Sequence, residues 1–242
     1  MPGRTAGLVG RCEPRMHHFM NIVLEHAADV LLPRKETELL AAAAIAILRG
    51  LPSRPLVVDM CCGSGNLALS IAVEVPSARV WGGDLTDSTV MLARRNVKRL
   101  AVQDRVTIRQ GDLFEALEGE GLEGALDMVV CNPPYISTAR LTGESAHLLE
   151  AGPREAFDGG PYGISIKQRV IREAADFLTP GGWLLLEFGE RQERQVAALI
   201  ARTRVYEPVT FVSNEAGMPR VALARKLGPV AAPPLETAGR PK

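Results

Sequence analysis

Residues 56–66 of the chain read LVVDMCCGSGN, and this stretch decides how the fold is interpreted. A short apolar run is followed at once by a turn that contains Gly63 and Gly65, and an apolar helical pattern begins at residue 66. Glycine at such a turn permits positive φ angles and lets the backbone approach a ligand closely. The turn matches neither of the nucleotide-phosphate patterns, GxGxxG and GxxxxGK followed by Ser or Thr. On its own it is also compatible with a tight strand-to-helix connection that binds nothing.

The alternation of strand and helix continues toward the C-terminus. The pattern predicts strands at residues 56–60, 78–82, 106–110, 126–131 and 183–188, with closing strands at residues 205–212 and 221–224. Helices are predicted at residues 66–75, 87–100, 164–178 and 192–201, and a long loop at residues 136–162. This order predicts an α/β fold, a doubly wound, mostly parallel sheet with helices on both faces. Ligands of such sheets bind beyond the carboxyl ends of the strands, where the strand order reverses.

The N-terminal part of the chain shows a different pattern. Residues 1–18 are polar and rich in Gly and Pro, which indicates a flexible arm. Apolar runs at residues 19–24 and 30–32 predict a hairpin with its turn at residues 25–29, and a lead-in helix over residues 37–49 completes a segment that ends at residue 50. The main domain is expected over residues 51–227. The proline-containing tail, residues 228–242, is expected to be disordered.

Composition narrows the function classes. The 242 residues include 28 basic and 28 acidic side chains, so the net charge is zero. A stable nucleic-acid partner is therefore not expected, because such binders usually carry a basic excess. No apolar run is long enough to span a membrane. The four cysteines lack CxxC spacing and the histidines lack metal-ligand spacing, which favours a reduced, cytoplasmic protein with no metal site.

Two acidic residues follow predicted strands at one edge of the sheet. Asp84 lies about 20 residues after the glycine turn, where a carboxylate can accept both ribose hydroxyls of a nucleoside. A helix N-cap is the alternative, although Thr86 and Asp87 could supply that cap equally well. Asp112 could accept from an adenine amino group while Leu113 packs on the ring, or it could cap a turn. Acids at successive strand ends favour a nucleoside site over a series of caps.

Residues 132–135, Asn-Pro-Pro-Tyr, end the fourth predicted strand and carry the most specific signal. Here the chain resembles S-adenosylmethionine-dependent methyltransferases that methylate planar nitrogens, either the amide of glutamine or the exocyclic amine of adenine. The resemblance implies that the side-chain oxygen of Asn132 and the carbonyl of Pro133 accept the two N–H groups of the acceptor, with Tyr135 as a wall. Prolines keep this stretch stiff and contribute no competing N–H group.

Further stretches narrow the resemblance. LPRKETEL at residues 32–39, PREAFDGG at residues 153–160 and GMPRV at residues 217–221 are similar to the HemK/PrmC type of protein-glutamine methyltransferase. The resemblance implies the seven-stranded sheet of class I methyltransferases and S-adenosylmethionine as the cofactor. The implied cofactor-binding residues are Asp59, Cys61, Gly63, Ser64, Gly65, Asp84, Leu85, Asp112, Leu113 and Asn132. The implied catalytic residues are Asn132, Pro133 and Tyr135. These three and Pro134 are also the implied substrate-binding residues, together with Thr37 and Glu38 near the mouth of the pocket.

Two departures from the family pattern bear on the acceptor. Cys61 stands where the family usually has glycine, and the residues before the hairpin show no pattern of the N-terminal helical domain that helps relatives to hold a protein substrate. The first hypothesis is methylation of a glutamine amide in a protein such as a peptide chain release factor. The second is methylation of a nitrogen or an oxygen on a small molecule, for example in natural-product biosynthesis. Adenine methylation in nucleic acid, which the neutral charge disfavours, and a non-enzymatic binder complete the set.

Overall fold

The computed structural model describes residues 15–51, 53–150 and 153–228. Its strands are β1 Arg15–Phe19, β2 Ile22–His26, β3 Leu56–Met60, β4 Arg79–Asp84, β5 Val106–Gln110, β6 Leu126–Cys131, β7 Leu178–Glu187, β8 Thr210–Ser213 and β9 Pro219–Arg225. Its helices are α1 Lys35–Arg49, α2 Asn66–Glu74, α3 Asp87–Arg99, α4 Thr138–Thr142, α5 Ser165–Phe177 and α6 Glu193–Thr203. Short 3-10 turns occupy Leu113–Leu117, Ala146–Glu150 and Arg154–Ala156. Residues 1–14 of the predicted arm and 229–242 of the predicted tail lie outside the described residues.

Seven strands form one sheet in the order β5-β4-β3-β6-β7-β9-β8. The strands β3 to β7 run parallel, whereas β9 pairs antiparallel with both β7 and β8. The chain starts in the sheet at β3, winds outward to β5, and then crosses back to β6 on the other side of β3. The strand order therefore reverses between β3 and β6, which is where doubly wound sheets bind their ligands. The predicted fold class is confirmed, including the seven-stranded, mostly parallel sheet.

The sheet is covered on both faces, which explains why its central strands are apolar almost throughout. Along β3, Val57 joins the core beneath α1, α2 and α3, whereas Val58 and Met60 join the core beneath α5 and α6. Since successive side chains of a strand point to opposite faces, Asp59 points to the same face as Val57. Its Oδ2 accepts a hydrogen bond from the backbone N–H of Ala68 in α2, at 3.0 Å. A buried carboxyl group thus holds the first turn of α2 against the sheet.

The N-terminal hairpin exists, but its predicted bounds are wrong. β1 and β2 pair antiparallel through a turn at residues 20–21, rather than through one at residues 25–29. Residues 30–32 form no strand. Residues 15–18, which the sequence placed in the flexible arm, belong to β1.

A tertiary contact that the local pattern does not contain explains this difference. The backbone N–H of Glu25 donates to Oδ1 of Asn96 in α3 at 2.7 Å, and Asn96 Nδ2 donates to the Glu25 carbonyl at 3.2 Å. These bonds satisfy the backbone of Glu25 as a neighbouring strand would, so the chain stays extended through a residue that had been assigned to a turn. Phe19, Ile22 and Leu24 are buried in the core on the side of α1 to α3. The hairpin is therefore part of the packed domain.

The remaining differences from the sequence prediction concern element ends and the long loop. The strand predicted at residues 205–212 is shortened to β8, because Tyr206 turns inward and its hydroxyl donates to the carbonyl of Ile171 at 2.9 Å. The loop over residues 136–162 contains α4 and two 3-10 turns. Among the described residues, no helix combines the length and the apolar character needed to cross a membrane.

Gly111, directly after β5, provides a test of the packing beside the switch point. A Cβ added here would lie 2.5 Å from N and 2.6 Å from Cα of Ala116, which are backbone atoms. We expect Gly111→Ala to lower the free energy of unfolding by about 1–3 kcal/mol, because the following turn must move. Urea denaturation measures this, with Gly228→Ala as control, since a Cβ at Gly228 meets nothing within 4 Å. Equal stability of Gly111→Ala and the wild type would contradict the close approach.

Candidate functional site

A cavity of about 360 Å³ opens beyond the carboxyl ends of β3, β4, β5 and β6. Its volume falls within the range typical of small-molecule sites, roughly 300–1,000 Å³. The sequence-predicted residues that line it are Cys61, Gly63, Asp84, Leu85, Asp112, Leu113, Asn132 and Pro134. Four strand ends therefore bring together residues that are up to 73 positions apart in the chain, as Cys61 and Pro134 are.

The turn after β3 adopts the left-handed backbone that its glycines permit. Gly63 has φ 55° and Gly65 has φ 83°, and Gly65 is the N-cap of α2. Cys61 also has a positive φ, 60°, although it is not glycine. A non-glycine residue in this region is strained by roughly 1–3 kcal/mol, and such strain persists only where the surrounding structure enforces it. The departure from glycine at Cys61 therefore falls on a position whose backbone favours glycine.

Asp84 connects this turn to the start of α3. Its Oδ2 accepts from the backbone N–H of Gly63 at 2.8 Å, and its Oδ1 accepts from Thr89 Oγ1 at 2.7 Å and from the N–H of Leu85 at 2.8 Å. The N-cap of α3 is Thr86, so Asp84 does not act as the cap. Because each carboxylate oxygen can accept more than one hydrogen bond, Asp84 keeps acceptor capacity toward the cavity.

Three of the residues that the resemblance assigned to the cofactor pocket do not line the cavity. Asp59 is fully buried behind the wall, and burial raises its pKa to about 8, with Asp84 adding a smaller effect in the same direction. Ser64 is buried, and its carbonyl accepts from Asn96. The carbonyl of Gly65 accepts from the backbone N–H of Leu69 at 2.9 Å. These residues shape the turn from behind, because the side chain or carbonyl that could reach a ligand is directed into the core.

Asp112 lies in the cavity wall, but its carboxylate already has a partner. Nη1 of Arg169 in α5 donates to both of its oxygens, at 2.9 and 2.8 Å. No motif in the sequence indicated Arg169, which is 57 residues away. Leu113, beside it, is buried with φ 52°. A left-handed residue at this point turns the chain directly from β5 into the following 3-10 turn.

The Asn-Pro-Pro-Tyr segment separates the cavity from a narrow cleft. Asn132 lines both spaces, while Pro133 and Tyr135 line the cleft alone. The cleft has further apolar walls, formed by Leu31, Ile136, Ala156 and Phe157. Asn132 is thus the polar side chain at the junction of two adjoining spaces, one large and one small.

Contacts on several sides fix Tyr135. Its hydroxyl accepts from Nη1 of Arg34 at 3.1 Å, and its carbonyl accepts from Nε2 of Gln192 at 3.1 Å. Nζ of Lys167 lies 5.5 Å from the centre of its ring. Burial raises the pKa of Tyr135, more strongly than the nearby Arg34 lowers it. The ring is therefore held in one orientation beside the cleft.

Lys167 is a buried cation that the sequence did not single out. It lies in α5, and its Nζ donates to the carbonyl of Gly163 at 2.6 Å and to Oε1 of Gln192 at 2.9 Å. Burial lowers its pKa to about 7. A neutral amine retains two N–H groups, so both hydrogen bonds survive loss of the charge. The amphipathic pattern of α5 shows which face of the helix is buried, but it gives no reason to expect a lysine on that face.

Thr37 and Glu38 lie away from the walls of both spaces, whereas the resemblance placed them near the mouth of the pocket. Thr37 is buried in the first turn of α1, where its Oγ1 accepts from Nδ2 of Asn132 at 3.1 Å. Glu38 accepts at Oε1 from the backbone N–H of Met20 at 2.9 Å and so holds the hairpin turn. The two residues point to different parts of the fold because neighbouring positions on a helix face different directions.

The segment at residues 153–158 forms the wall of the cavity opposite the sheet. Pro153, Arg154, Glu155, Ala156 and Asp158 all line it. The sequence marked this segment as similar to the family but gave it no role. Asp158 accepts from Thr138 Oγ1 at 2.7 Å and from the N–H of Gly160 at 3.0 Å, and these bonds lower its pKa against the effect of burial. The bonds fix one end of the segment to α4.

Comparisons with known proteins match this chain to methyltransferases. Residues 40–161 match the family described as methyltransferase small domain. A release factor glutamine methyltransferase from Moorella thermoacetica is 36% identical over 206 residues, covering 85% of this chain and 71% of that protein. A 4-amino-L-phenylalanine/4-methylamino-L-phenylalanine methyltransferase from Streptomyces pristinaespiralis is 39% identical over 190 residues, covering 77% of this chain and 63% of that protein. The crystal structure of a release factor-specific protein-(glutamine-N5) methyltransferase from Alicyclobacillus acidocaldarius matches with a TM-score of 0.51 at 27% identity, covering 81% of this chain and 94% of that one.

The pKa of Lys167 leads to a prediction about stability and pH. Between its folded value of about 7 and its ordinary value of 10.5, the unfolded state binds more protons than the folded state. The contribution of this group to stability therefore rises with pH across that window and is lost as the pH falls through about 7. In urea denaturation, we expect the unfolding free energy of the wild type to rise relative to that of Lys167→Met as the pH increases from 7 to 10. The exposed Lys98 supplies the control, Lys98→Met, and equal slopes for both variants would contradict the burial of Lys167.

Proposed function

Because this chain belongs to the family of release factor glutamine methyltransferases, we propose that it transfers a methyl group from S-adenosylmethionine to the side-chain amide nitrogen of a glutamine in a protein. One observation carries the proposal: Asn132 lies at the junction between a cavity large enough for a nucleoside-containing molecule and a cleft walled by Tyr135. A protein substrate of the release factor type would place the reaction in the cytoplasm.

The cavity has the polar and apolar groups that S-adenosylmethionine requires. Asp84 keeps acceptor capacity toward the cavity and is positioned by Gly63 and Thr89, so it would hold the ribose hydroxyls. Leu113 offers an apolar surface for the adenine ring, and Asp112 an acceptor for its amino group. When bound, S-adenosylmethionine supplies an electrophilic methyl group on a positively charged sulfur.

Asn132 is suited to hold an amide nitrogen. Because its Nδ2 donates to Thr37, its Oδ1 is directed away from that contact. This oxygen can therefore accept a hydrogen bond from an N–H group of the substrate amide. The carbonyl of Pro133 would accept the second N–H, and neither proline offers an N–H that competes. An amide nitrogen is a weak nucleophile, so most of the rate gain must come from orientation, for which roughly 7–11 kcal/mol is attainable. Acceptors facing the nitrogen also stabilise the positive charge that develops there.

An aromatic amine on a small molecule is the second candidate acceptor. The Streptomyces pristinaespiralis relative, 39% identical, is named for activity on 4-amino-L-phenylalanine. The cleft beside Asn132 has aromatic walls at Tyr135 and Phe157, and its accessible volume of about 20 Å³ must widen before it admits a flat ring or the stem of a glutamine. The same pair of oxygens would hold the exocyclic amine, so the acceptors must be compared directly.

We expect Asp84→Asn to weaken binding of S-adenosylhomocysteine, the demethylated donor, about 10- to 100-fold in calorimetry, because charge-assisted hydrogen bonds to the ribose are lost. Asp87→Asn is the matched control, because Asp87 is exposed at the start of α3 and its replacement removes the same charge. Equal affinity of Asp84→Asn and Asp87→Asn would contradict the ribose assignment.

We expect the wild type to transfer labelled methyl groups to a purified bacterial release factor, and Asn132→Ala to reduce this at least 100-fold through loss of orientation. Asn21→Ala, at the surface where Asn21 donates to Glu74, should keep wild-type activity. A parallel assay uses 4-amino-L-phenylalanine as the acceptor. Label in the release factor supports glutamine methylation, label only in the small molecule supports the second candidate, and label in neither overturns both.

A further inference from the structure

Three polar side chains form a row that leads inward from the cleft: the half-buried Asn132 in its wall, and the buried Thr37 and Glu187. Asn132 follows β6, and Glu187 ends the neighbouring β7, where the register pairs Cys131 with Leu186. Thr37 comes from the first turn of α1 and is buried, as is Glu187. The topology therefore brings a carboxyl group, a hydroxyl group and an amide together from three separate parts of the chain.

Glu187 has no other evident task. Both of its carboxyl oxygens are buried, and among the described residues neither has a partner with good hydrogen-bond geometry. The Thr37 hydroxyl lowers the pKa of this carboxyl, against the larger effect of burial, which raises it. Buried polar groups in native proteins are nearly always paired, so an unpaired carboxyl beside a reaction site calls for an explanation.

The direction of the hydrogen bonds along the row supplies that explanation. A hydroxyl group has one hydrogen, so if Thr37 donates it to Glu187, its oxygen can only accept from Asn132. This selects the amide orientation in which Nδ2 of Asn132 faces Thr37, at 3.1 Å, and Oδ1 faces the cleft. The opposite orientation would present N–H groups to the N–H groups of the acceptor. We propose that Glu187, acting through Thr37, is a positioning residue that keeps the oxygen of Asn132 directed toward the methyl acceptor.

The charged surroundings of Glu187 determine when it can play this part. Burial raises its pKa to about 7, against the smaller effect of Thr37. The charged groups that act on it are Arg220 of β9, which is itself paired with Glu190 at 3.5 Å, Arg34 before α1 and Glu36 within it. Tyr135, after β6, is a further titratable neighbour, whose own pKa Glu187 raises. Once protonated, Glu187 can donate to Thr37, which frees the Thr37 hydrogen for Oδ1 of Asn132. Control of the amide is then lost as the pH falls through about 7.

The test rests on the proposed function and uses the release factor assay with the full chain. We expect Thr37→Val to lower kcat about tenfold, with KM for the release factor and the affinity for S-adenosylhomocysteine changed less than twofold. Thr37→Ser restores the hydroxyl and should recover most of kcat. Thr179→Val is the matched control, because Thr179 loses a comparable hydrogen bond, 3.1 Å to the carbonyl of Leu126, far from Asn132.

A pH profile separates positioning from a general loss of structure. We expect kcat of the wild type to fall below about pH 7, and Glu187→Gln to show a lower kcat without that decline, because its amide does not titrate. If Thr37→Val fails to fold, this profile still tests the proposal. A wild-type kcat independent of pH from about 6 to 8, or equal kcat for wild type and folded Thr37→Val, overturns the positioning role alone. Wild-type inactivity on both acceptors overturns the proposed function and this role with it.

Discussion

The reversal of strand order between β3 and β6 is the constraint on which the site depends. The connection after β3 packs α2 on one face of the sheet, whereas the connection after β6 leads to α5 on the other. The two crossovers diverge, so the carboxyl ends of these strands face a crevice that neither helix covers. The glycine turn reaches this crevice from one strand and Asn132 from the other. Topology therefore sets where chemistry can occur, and the side chains set which chemistry it is.

Carboxyl groups around this crevice hold the backbone that shapes it. Asp84 accepts from Gly63 and Thr89, and Asp59 accepts from Ala68, so two acidic side chains fix the turn and the helix after it. A ligand then meets groups that are already oriented, and little of its binding free energy is spent on ordering them. Cys61, in the same turn, has a strained φ of 60°. Binding and local folding thus use one set of hydrogen bonds.

Much of the fold followed from local pattern, because buried parallel strands and their helices leave a strong signal. β3, β5 and β6 begin and end where the sequence predicted, and the resemblance carried by residues 132–135 is confirmed by the relatives. The failures involve contacts between distant residues. The hairpin turn was misplaced because Asn96, 71 residues away, satisfies the backbone of Glu25. The hydrogen bond between Thr37 and Asn132, 95 residues apart, and the burial of Lys167 follow from no local pattern, although the resemblance had placed Thr37 near the pocket.

β6 lies in the middle of the sheet, paired with β3 on one side and β7 on the other. Central strands of this kind open to solvent only when the whole domain unfolds, so their amide hydrogens exchange slowly. A shift of one residue in this strand would also turn each of its side chains to the opposite face. Asn132 is the first residue after β6, so the strand restrains its backbone on one side. The position of Asn132 relative to Thr37 is therefore expected to persist until the domain unfolds globally.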